Sequence, residues 1–374
     1  MNNATIYYRN KISHGLYRYI LKPIFFMSDP EFVHDRMTGF GKTLARTSLT
    51  RKFVSGLYNF QHSMLEQTIF GITFKNPIGL AAGFDKNAEL TGILPSVGFG
   101  FMEAGSITGQ PCRGNNKPRL WRLKKSKSLM VYYGLKNDGC EEIASRLSKK
   151  HFDIPVGMSV AMTNCADNMM TSKAVRDYAK AFKTLEPIGA YMTINISCPN
   201  TQGGQPFVEP HKLDYLLDML DDIPTTKPVF VKLSPDLSRQ TLDELLEVLK
   251  KHRVDGIICT NLTKNRNNPK IKDSYVPEKG GMSGKVVQDL SDRLLAYIAR
   301  KEKGRFILVG CGGVFTAEDA YRKIRLGASL VQMVTGMIFE GPQVISEINR
   351  GLVELLKRDG YKNIQEAIGA DIKE

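Results

Sequence analysis

Short apolar runs alternate with longer amphipathic runs from about residue 70 onward, and this alternation constrains the fold more than any other feature. The apolar runs number eight, and their length and composition are typical of buried β-strands. They cover residues 76–83, 99–107, 156–161, 191–198, 229–235, 256–261, 306–313 and 329–336. Helical periodicity separates most of them, for example in residues 241–251, 290–300 and 317–326. Eight strand–helix units predict an α/β fold, a closed parallel (β/α)8 TIM barrel.

An open, doubly wound sheet is the structural alternative. That fold carries a G-x-G-x-x-G loop after its first strand, and the sequence contains none. A (β/α)8 barrel needs roughly 250 residues, so a chain of 374 residues has room for a further segment. Hydrophobic residues make up 42% and charged residues 24%, which fits one sizeable core. We predict an N-terminal helical segment over residues 1–65 and a barrel domain over residues 66–374.

The N-terminal segment is apolar, aromatic and basic. Pro23 is expected to end or kink a first helix, and Asp29, Pro30 and Glu31 read as the N-cap and first turn of a second. Residues 1–52 contain nine Lys or Arg and three Asp or Glu. Two short basic helices with apolar faces suggest a surface that lies on a membrane. The alternative is that they pack on the barrel and cover its open end; the pattern favours neither, and both can hold together.

The composition excludes several other classes. The net charge of +14 attracts phosphates, anionic substrates or anionic lipid, but no nucleic-acid-binding motif accompanies it, so no nucleic-acid partner is expected. None of the six cysteines forms a C-x-x-C pair, so we expect no metal and a reducing compartment. No uninterrupted apolar run reaches the roughly 18 residues of a transmembrane helix. No signal peptide is visible.

Functional residues of such barrels cluster where strands end and the following loops begin. The candidates at the eight strand ends are Ala81, Ala82, Gly83, Asp85, Lys86, Ser106, Asn195, Ser197, Cys198, Asn200, Lys232, Thr260, Asn261, Gly310, Gly312, Gly313, Thr335 and Gly336. Turns use paired glycines constantly. Glycines after the seventh and eighth strands, however, stand at the usual phosphate position of these barrels, where backbone N–H groups close on the anion. The sequence therefore predicts a phosphate-bearing cofactor there.

Cations and amides occur at other strand ends. An exposed lysine is the common alternative, but the apolar neighbours of Lys232 predict a buried ammonium aimed into the barrel mouth, where it suits an electron-rich or anionic ring. Asn195, Asn200 and Asn261 offer amide groups that can bind the edges of a small heterocycle. A turn is the alternative role for Asn200.

Cys198 is the strand-end residue with reactive chemistry, as a base or as a nucleophile. None of the six histidines falls at a strand end, so the sequence favours a lone general base over a Cys–His nucleophile. A buried, inert cysteine is the alternative, and we assign it to Cys259 and Cys311.

These residues lie in motifs that resemble the dihydroorotate dehydrogenase family over nearly the whole chain. The motifs are FKNPIGLAAG at 74–83, KPRL at 117–120, INISCPNT at 194–201, GMSG at 281–284, GCGG at 310–313 and GASLVQ at 327–332. The N-terminal segment, with Asp29, Pro30, Glu31 and His34, looks like that of the membrane-associated, quinone-using class 2.

The resemblance implies that the chain binds FMN and oxidises dihydroorotate to orotate in pyrimidine biosynthesis, with a quinone as acceptor. It implies FMN contacts at Ala81, Ala82, Gly83, Ser106, Asn195, Lys232, Thr260, Gly284, Gly313, Val334 and Thr335. It implies pyrimidine contacts at Lys86, Asn195, Asn200 and Asn261. Cys198, assisted by Lys86, would take a proton from C5 while hydride leaves C6 for the flavin. The quinone would enter near His34 and Arg122, and the protein would lie peripherally on the cytoplasmic face of a bacterial cell membrane.

Several positions depart from the family pattern. Cys198 stands where class 2 usually has serine, Val131 where the family has a substrate-binding asparagine, and Leu262 where it has threonine. Val334 replaces a tyrosine expected beside the flavin. The flavin site is therefore kept better than the substrate site. Two alternatives follow: a related FMN oxidoreductase that acts on another small ring, and a non-catalytic flavin-binding membrane protein, against which Cys198 and Lys86 argue.

Overall fold

Eight parallel strands close into a barrel in the computed structural model, which describes residues 3–372. The strands in chain order are β1 Gln67–Ile69, β2 Ile72–Phe74, β3 Ile78–Leu80, β4 Phe101–Thr108, β5 Leu120–Leu123, β6 Ser128–Val131, β7 Val156–Ala161, β8 Tyr191–Asn195, β9 Val229–Leu233, β10 Gly256–Cys259, β11 Gly281–Gly284, β12 Ile307–Cys311 and β13 Ala328–Met333. The barrel runs β3-β4-β7-β8-β9-β10-β12-β13 and closes on β3. The predicted (β/α)8 TIM barrel is confirmed.

Helices surround the barrel and precede it. They are α1 Asn3–Leu16, α2 Lys22–Met27, α3 Pro30–Leu44, α4 Ser48–Tyr58, α5 Leu94–Val97, α6 Cys140–Leu147, α7 Thr171–Leu185, α8 Pro210–Asp221, α9 Arg239–Lys251, α10 Gln288–Glu302, α11 Ala317–Arg325, α12 Thr335–Glu340 and α13 Val344–Arg358. Their buried apolar residues pack on the outside of the barrel strands in one continuous core. The helices predicted at 241–251, 290–300 and 317–326 correspond to α9, α10 and α11.

All eight predicted strands are present, although most are shorter than the apolar runs that predicted them. The strand β7 has the predicted bounds, whereas β3 keeps three residues of its run. The chain leaves the sheet early at the carboxyl ends, so that Cys198 lies three residues beyond β8 and Asn261 two beyond β10. The apolar runs include these loops because the loops are themselves buried against the barrel.

A layer of aromatic rings fills the amino-terminal end of the barrel. Phe101, Tyr191 and Phe230 belong to one buried cluster with Phe74. Each of these three rings is paired in register with a glycine of the neighbouring strand: Gly79 with Phe101, Gly157 with Tyr191, and Gly256 with Phe230. A methyl group added at any of these glycines would overlap the paired ring. The missing side chains therefore make room for the rings, which close the floor of the barrel.

Two small sheets were not foreseen from the sequence. The hairpin β1–β2 turns at Phe70 and Gly71, both with left-handed φ angles, as a two-residue hairpin turn requires. The strands β5, β6 and β11 form an antiparallel sheet, with β6 in the middle. Its strands come from the segments after β4 and after β10, so it lies beyond the carboxyl ends of the barrel strands.

Pro23 was expected to end or kink the helix; the chain stays helical through it, and the helix is irregular directly before it. A π-helical turn, Tyr17–Leu21, joins α1 to α2, and the Lys22 N–H donates to the Tyr17 carbonyl. Proline has no N–H to donate and its ring collides with the carbonyl four residues earlier in a regular α-helix. The wider π turn directly before Pro23 changes this spacing, as π-bulges do inside α-helices.

The helix α3 begins as predicted and is held by a buried ion pair. The Asp29 side chain accepts a hydrogen bond from the Phe32 N–H, and Pro30 occupies the first turn. Glu31, 3% exposed, accepts from the Arg119 guanidinium, with Nη2–Oε1 at 2.7 Å and Nε at 3.0 Å from both carboxylate oxygens. This contact fixes α3 to the segment that enters β5.

Within residues 3–372, no helix is both long and apolar enough to cross a membrane.

The glycine–ring pairs give a stability prediction. Gly157→Ala is expected to lower the free energy of unfolding by about 1–3 kcal/mol, because the added methyl overpacks the Tyr191 ring. Urea unfolding followed by circular dichroism measures the difference. The matched control is Gly56→Ala in α4, where nothing lies within 4 Å of the added methyl and where alanine favours the helix by up to about 1 kcal/mol. Equal effects of the two substitutions would contradict the role given to the ring layer.

Candidate active site

One cavity at the carboxyl ends of the barrel strands gathers nearly all the predicted site residues. Those that line it are His34, Ala81, Ala82, Gly83, Lys86, Ser106, Asn195, Cys198, Asn200, Lys232, Thr260, Asn261, Gly284, Gly312, Gly313, Val334, Thr335 and Gly336. The strand-end candidates Asp85, Ser197 and Gly310 do not line this cavity, and neither does Arg122. The Arg122 guanidinium carbon lies 4.7 Å from the centre of the Phe26 ring, and its Nη1 donates to the Ser28 carbonyl at 2.8 Å. Arg122 therefore holds the end of α2 beside the cavity.

A hydrogen-bonded network of amides and hydroxyls forms one wall. Asn195 Nδ2 donates to Ser106 Oγ at 2.7 Å, and Ser106 Oγ lies 2.9 Å from Ser159 Oγ. Asn195 Oδ1 accepts from Ser197 Oγ and from Asn261 Nδ2, both at 3.1 Å. Both ends of the Asn195 amide are thus engaged with the protein, which fixes its orientation.

Asn261 and Asn200 differ in what they leave free. Asn261 Nδ2 donates to Asn195 and to Ser197, while its Oδ1 accepts from the Leu262 N–H at 2.8 Å. Asn200 Nδ2 donates to the Val131 carbonyl at 2.9 Å, but its buried Oδ1 has no partner among the described residues. A buried acceptor without a partner costs about 1–3 kcal/mol. Asn200 Oδ1 is therefore an acceptor that a ligand N–H can satisfy.

Cys198 lies on the loop after β8, between the polar network and Asn200. Burial raises the pKa of its thiol to about 11, although the Asn200 N–H and the more distant Lys264 act in the opposite direction. The thiol is therefore largely protonated near neutral pH. No histidine is among the groups within residues 3–372 that shift the pKa of this thiol.

Lys86 and Lys232 place two ammonium groups at the cavity without carboxylate partners within ion-pair distance among residues 3–372. Burial lowers the pKa of Lys86 to about 8. Lys232, on β9, is 4% exposed, and its ammonium has neither a hydrogen bond nor an ion pair in the described chain. A buried charge is costly unless it is paired. Both lysines therefore favour an anionic or electron-rich ligand.

Three glycines shape the opposite wall. Gly284, Gly312 and Gly313 have φ angles of +84°, +121° and +75°, in the region that favours glycine. A side chain at Gly313 would overlap Gln288, and one at Gly284 would overlap the Lys127 carbonyl. Backbone thus reaches the cavity surface directly at these positions, as close approach to a phosphate requires.

The remaining walls are apolar or aromatic, and apart from Val131 and Leu262 the sequence did not assign them to the site. They are formed by Phe84, Leu120, Leu129, Val131, Tyr133, Leu135, Leu262 and Ile338. Most of them come from the small antiparallel sheet and its flanking segments, which the sequence did not predict. Val131, which stands where the family has a substrate-binding asparagine, was the available signal in this segment.

His34 joins the cavity to the N-terminal helices. Its Nε2 lies 2.8 Å from the Phe84 carbonyl, and its ring meets the Phe84 ring edge-on at 5.0 Å between centres. Burial, and then the nearby Lys86, lower the pKa of His34. The imidazole is therefore neutral at pH 7, so that Nε2 donates to the carbonyl.

The Cys198 environment gives a pH prediction. With a pKa of about 11, alkylation of Cys198 by iodoacetamide should keep rising about tenfold per pH unit up to about pH 10, because the thiolate is the nucleophile. An ordinary thiol, such as free glutathione, levels off above about pH 8.5. Mass spectrometry of the peptide that contains Cys198 follows the reaction, and Cys198→Ser identifies its signal. A plateau near pH 8.5 would show that burial does not control this thiol.

Comparison with known proteins supports the arrangement. The profile of the family described as dihydroorotate dehydrogenase matches residues 64–356. Dihydroorotate dehydrogenase (quinone) of Natronomonas pharaonis is 38% identical over 96% of this chain and 100% of its own length, and that of a Sulfurovum species is 39% identical over 94% and 98%.

The structures agree with the sequences. Ligand-free dihydroorotate dehydrogenase from Eimeria tenella superposes with a TM-score of 0.83 at 29% identity, over 92% of this chain and 100% of that one. The complex of that enzyme with ferulenol gives 0.82 at 28% identity, over 92% and 96%. The barrel, the cavity at its carboxyl ends and these matches together place the chain in the dihydroorotate dehydrogenase family.

Proposed function

We propose that the chain oxidises dihydroorotate to orotate and passes the electrons to a quinone, as a step of pyrimidine biosynthesis. The observation that carries the proposal is that one cavity holds several groups suited to this reaction. They are the Cys198 thiol, the Lys86 and Lys232 ammonium groups without carboxylate partners, Asn200 Oδ1 without a donor, and a wall lined by glycines. The similar proteins of Natronomonas pharaonis and Sulfurovum carry quinone in their names. The activity is that of an oxidoreductase acting on a carbon–carbon single bond.

The cavity fits a flavin. The family is flavin-dependent in general, and we propose FMN as the form bound here. Lys232 supplies an unpaired cation for an electron-rich ring, and the left-handed glycines give the bare backbone that a phosphate needs. The residues that would hold FMN are Ala81, Ala82, Gly83, Ser106, Asn195, Lys232, Thr260, Gly284, Gly313, Val334 and Thr335. When bound, FMN supplies the hydride acceptor of the reaction.

The substrate would lie between Lys86 and Asn200. Dihydroorotate is an anion with ring N–H donors, which complement the Lys86 ammonium and the free Asn200 Oδ1. Asn195 and Asn261, whose amides are held by their mutual hydrogen bond, complete that side of the subsite. This set binds and orients the ring at Cys198.

Cys198 would remove the proton from C5. Since burial raises the pKa of the thiol to about 11, only a small fraction is thiolate near neutral pH, and the rate of proton transfer should increase with pH. Lys264 and the Asn200 N–H both favour the thiolate. A general base of this kind contributes about 10²–10⁴ in rate.

A different ring substrate is the second candidate, and specific residues favour it. Val131 and Leu262 both line the cavity, at positions where the family pattern has polar side chains. An apolar substituent on the ring would be better solvated by these two side chains than by water. A non-catalytic flavin protein is the third possibility, and the placement of Cys198 and Lys86 in the cavity opposes it.

Anaerobic flavin reduction tests the proposal. Purified full-length protein is expected to show flavin absorbance, to bleach on addition of dihydroorotate, and to regain its colour with ubiquinone. Cys198→Ala should keep the flavin but bleach about 10²–10⁴ times more slowly, because the base is lost, and Cys198→Ser should retain part of the rate.

The outcomes separate the first candidate from the other two. Bound flavin that never bleaches with dihydroorotate rejects the first candidate and leaves the second and the third. An unchanged rate in Cys198→Ala would mean that another group is the base. Protein that cannot take up FMN would reject all three.

We propose that residues 1–65 form a segment that docks on a membrane and admits the quinone, and that residues 66–374 form the FMN-binding domain. Fourteen of the nineteen exposed large hydrophobic side chains among residues 3–372 lie before residue 54, and five lie elsewhere. His34 connects this segment to the cavity, and Arg122 braces the end of α2. Quinone-using relatives are usually membrane-associated; we place this chain peripherally on the cytoplasmic face of a bacterial cell membrane.

Vesicle binding tests the docking surface. Replacing Ile12, Tyr19 and Met27, which are 72%, 73% and 81% exposed, by serine should weaken binding to vesicles of anionic phospholipid more than tenfold, because each buried side chain contributes about 1.5–3 kcal/mol at most. Sedimentation with vesicles measures the bound fraction. The control replaces Met169, Met170 and Tyr275, which are exposed outside this segment. Equal loss in both triple variants would exclude a local docking surface.

A further inference from the structure

The Lys86 ammonium has one close electron-rich neighbour in the described chain, and that neighbour is an aromatic ring. Lys86 Nζ lies 4.0 Å from the centre of the Tyr133 ring, well within the roughly 6 Å over which a cation is attracted to a ring face. Lys86 has neither a hydrogen bond nor an ion pair within residues 3–372. The ring therefore takes the place that a carboxylate partner would occupy.

Other charges surround Lys86 at longer range and on several elements. Asp35 and Glu31 of α3 and the adjacent Asp85 favour its charged form, whereas Lys136 opposes it. His34 of α3 faces the same region and is neutral near pH 7, since its pKa is lowered. None of the three acids approaches within ion-pair distance of Lys86, so their effect is weaker than that of a direct contact.

The Tyr133 ring is held in place from its own backbone and from its neighbours. Its carbonyl accepts from the Asn115 N–H at 2.9 Å, and the N–H of the preceding Tyr132 donates to the Arg119 carbonyl at 2.8 Å. The Arg119 guanidinium carbon lies 5.2 Å from the centre of the Tyr133 ring. Because Arg119 is itself bound to Glu31 at 2.7 Å, the ring is tied to α3.

The hydroxyl of Tyr133 takes no part in this arrangement. The side chain is 8% exposed, and its buried oxygen has no hydrogen-bond partner among the described residues. The ring face is thus the part of the side chain that makes a specific contact at the site. Phenylalanine would preserve that contact.

We propose that Tyr133 is a positioning residue whose ring face holds the Lys86 ammonium at the cavity and keeps it charged to receive an anionic substrate. The inference rests on the proposed function for the identity of the anion, but the contact between the ring and the ammonium does not. The contact links the substrate lysine, through Arg119 and Glu31, to the helix that the N-terminal segment contributes.

The consequence is a change in the acidity of Lys86. Burial already lowers the pKa of Lys86 to about 8, and a ring face favours the charged form. Loss of that attraction should lower the pKa of Lys86 further, by about one pH unit for a desolvated contact. Substrate capture, which needs the ammonium, would then fail at a lower pH than in the unmodified protein.

The deciding variant is Tyr133→pentafluorophenylalanine in the full-length protein. This residue keeps the size and shape of the ring but reverses its quadrupole, so that attraction becomes repulsion without a cavity. Tyr133→Phe keeps the attractive face and should behave as the unmodified protein. Tyr132→Leu is the matched control, because it removes the neighbouring ring, which lies outside this cavity.

Two readouts are needed. The first is the pH titration of the Lys86 side chain in protein with 13Cε-labelled lysine, with the signal assigned by its absence from Lys86→Met. The second is the pH dependence of KM and of the limiting rate for flavin reduction by dihydroorotate. The fluorinated variant should shift the titration, and the rise of KM, down by about one pH unit, with little change in the limiting rate at low pH.

The two readouts separate this inference from the proposed function. A shifted titration in the fluorinated variant alone supports the inference even if dihydroorotate never bleaches the flavin. An unshifted or raised titration overturns it, whatever the activity. A shift of equal size in Tyr133→Phe would assign the effect to the hydroxyl and would also overturn it. If the fluorinated protein fails to fold, the same Lys86 titration is measured in Tyr133→Leu and in Tyr133→Phe. Equal pKa values for Lys86 in these two variants would reject the proposal.

Discussion

The ring layer at the floor of the barrel is the packing constraint on which the rest of the interior depends. Side chains alternate along a strand with a period of two, so the residues two and four positions after a floor ring point into the same interior. Along β8 the series is Tyr191, Thr193 and Asn195, from the floor to the cavity. A shift of one residue in register would turn the cavity residues out of the barrel. The glycine–ring pairs, which fit in one register only, therefore also set the height of the site.

A polar layer separates the floor from the cavity. Glu103 lies two residues after Phe101, and its Oε2 accepts from Thr193 Oγ1 at 3.1 Å and from Gln332 Nε2 at 2.8 Å. Lys232 lies two residues after Phe230 in the same series. The strands thus pass from apolar to hydrogen-bonded to ligand-facing side chains. The layer is only partly satisfied, because Glu103 Oε1 and Gln332 Oε1 have no hydrogen-bond partner among the described residues.

The periodicity of the sequence was sufficient for the barrel but not for the whole wall of its cavity. Parallel strands are buried on both faces and read as continuous apolar runs, so all eight were visible, and so were the polar residues at their ends. The strands β5 and β6 have four residues each, too few to show a period, and the pairing of β6 with β11 joins segments some 150 residues apart. Tyr133, which contacts Lys86, lies two residues after β6, and the sequence therefore gave no indication of that contact. Arg122 was likewise placed near the quinone path by resemblance, whereas its position depends on where α2 ends.

The engaged amides change what the substrate subsite can recognise. Val131 stands where the family pattern has an asparagine, and its backbone carbonyl accepts a hydrogen bond from Asn200 Nδ2. Asn261 Nδ2 donates to Asn195 Oδ1. A ligand that enters therefore meets a prepared set of groups in which Asn200 Oδ1 and the Lys86 ammonium remain to be satisfied. The side chains of Val131 and Leu262 cannot hydrogen-bond to a ligand. Each missing hydrogen bond lowers the discrimination between ligands by about 1–3 kcal/mol. Under the proposed function, recognition would rest on charge more than on amide contacts, and the protonation of Lys86 would then decide which rings the site retains.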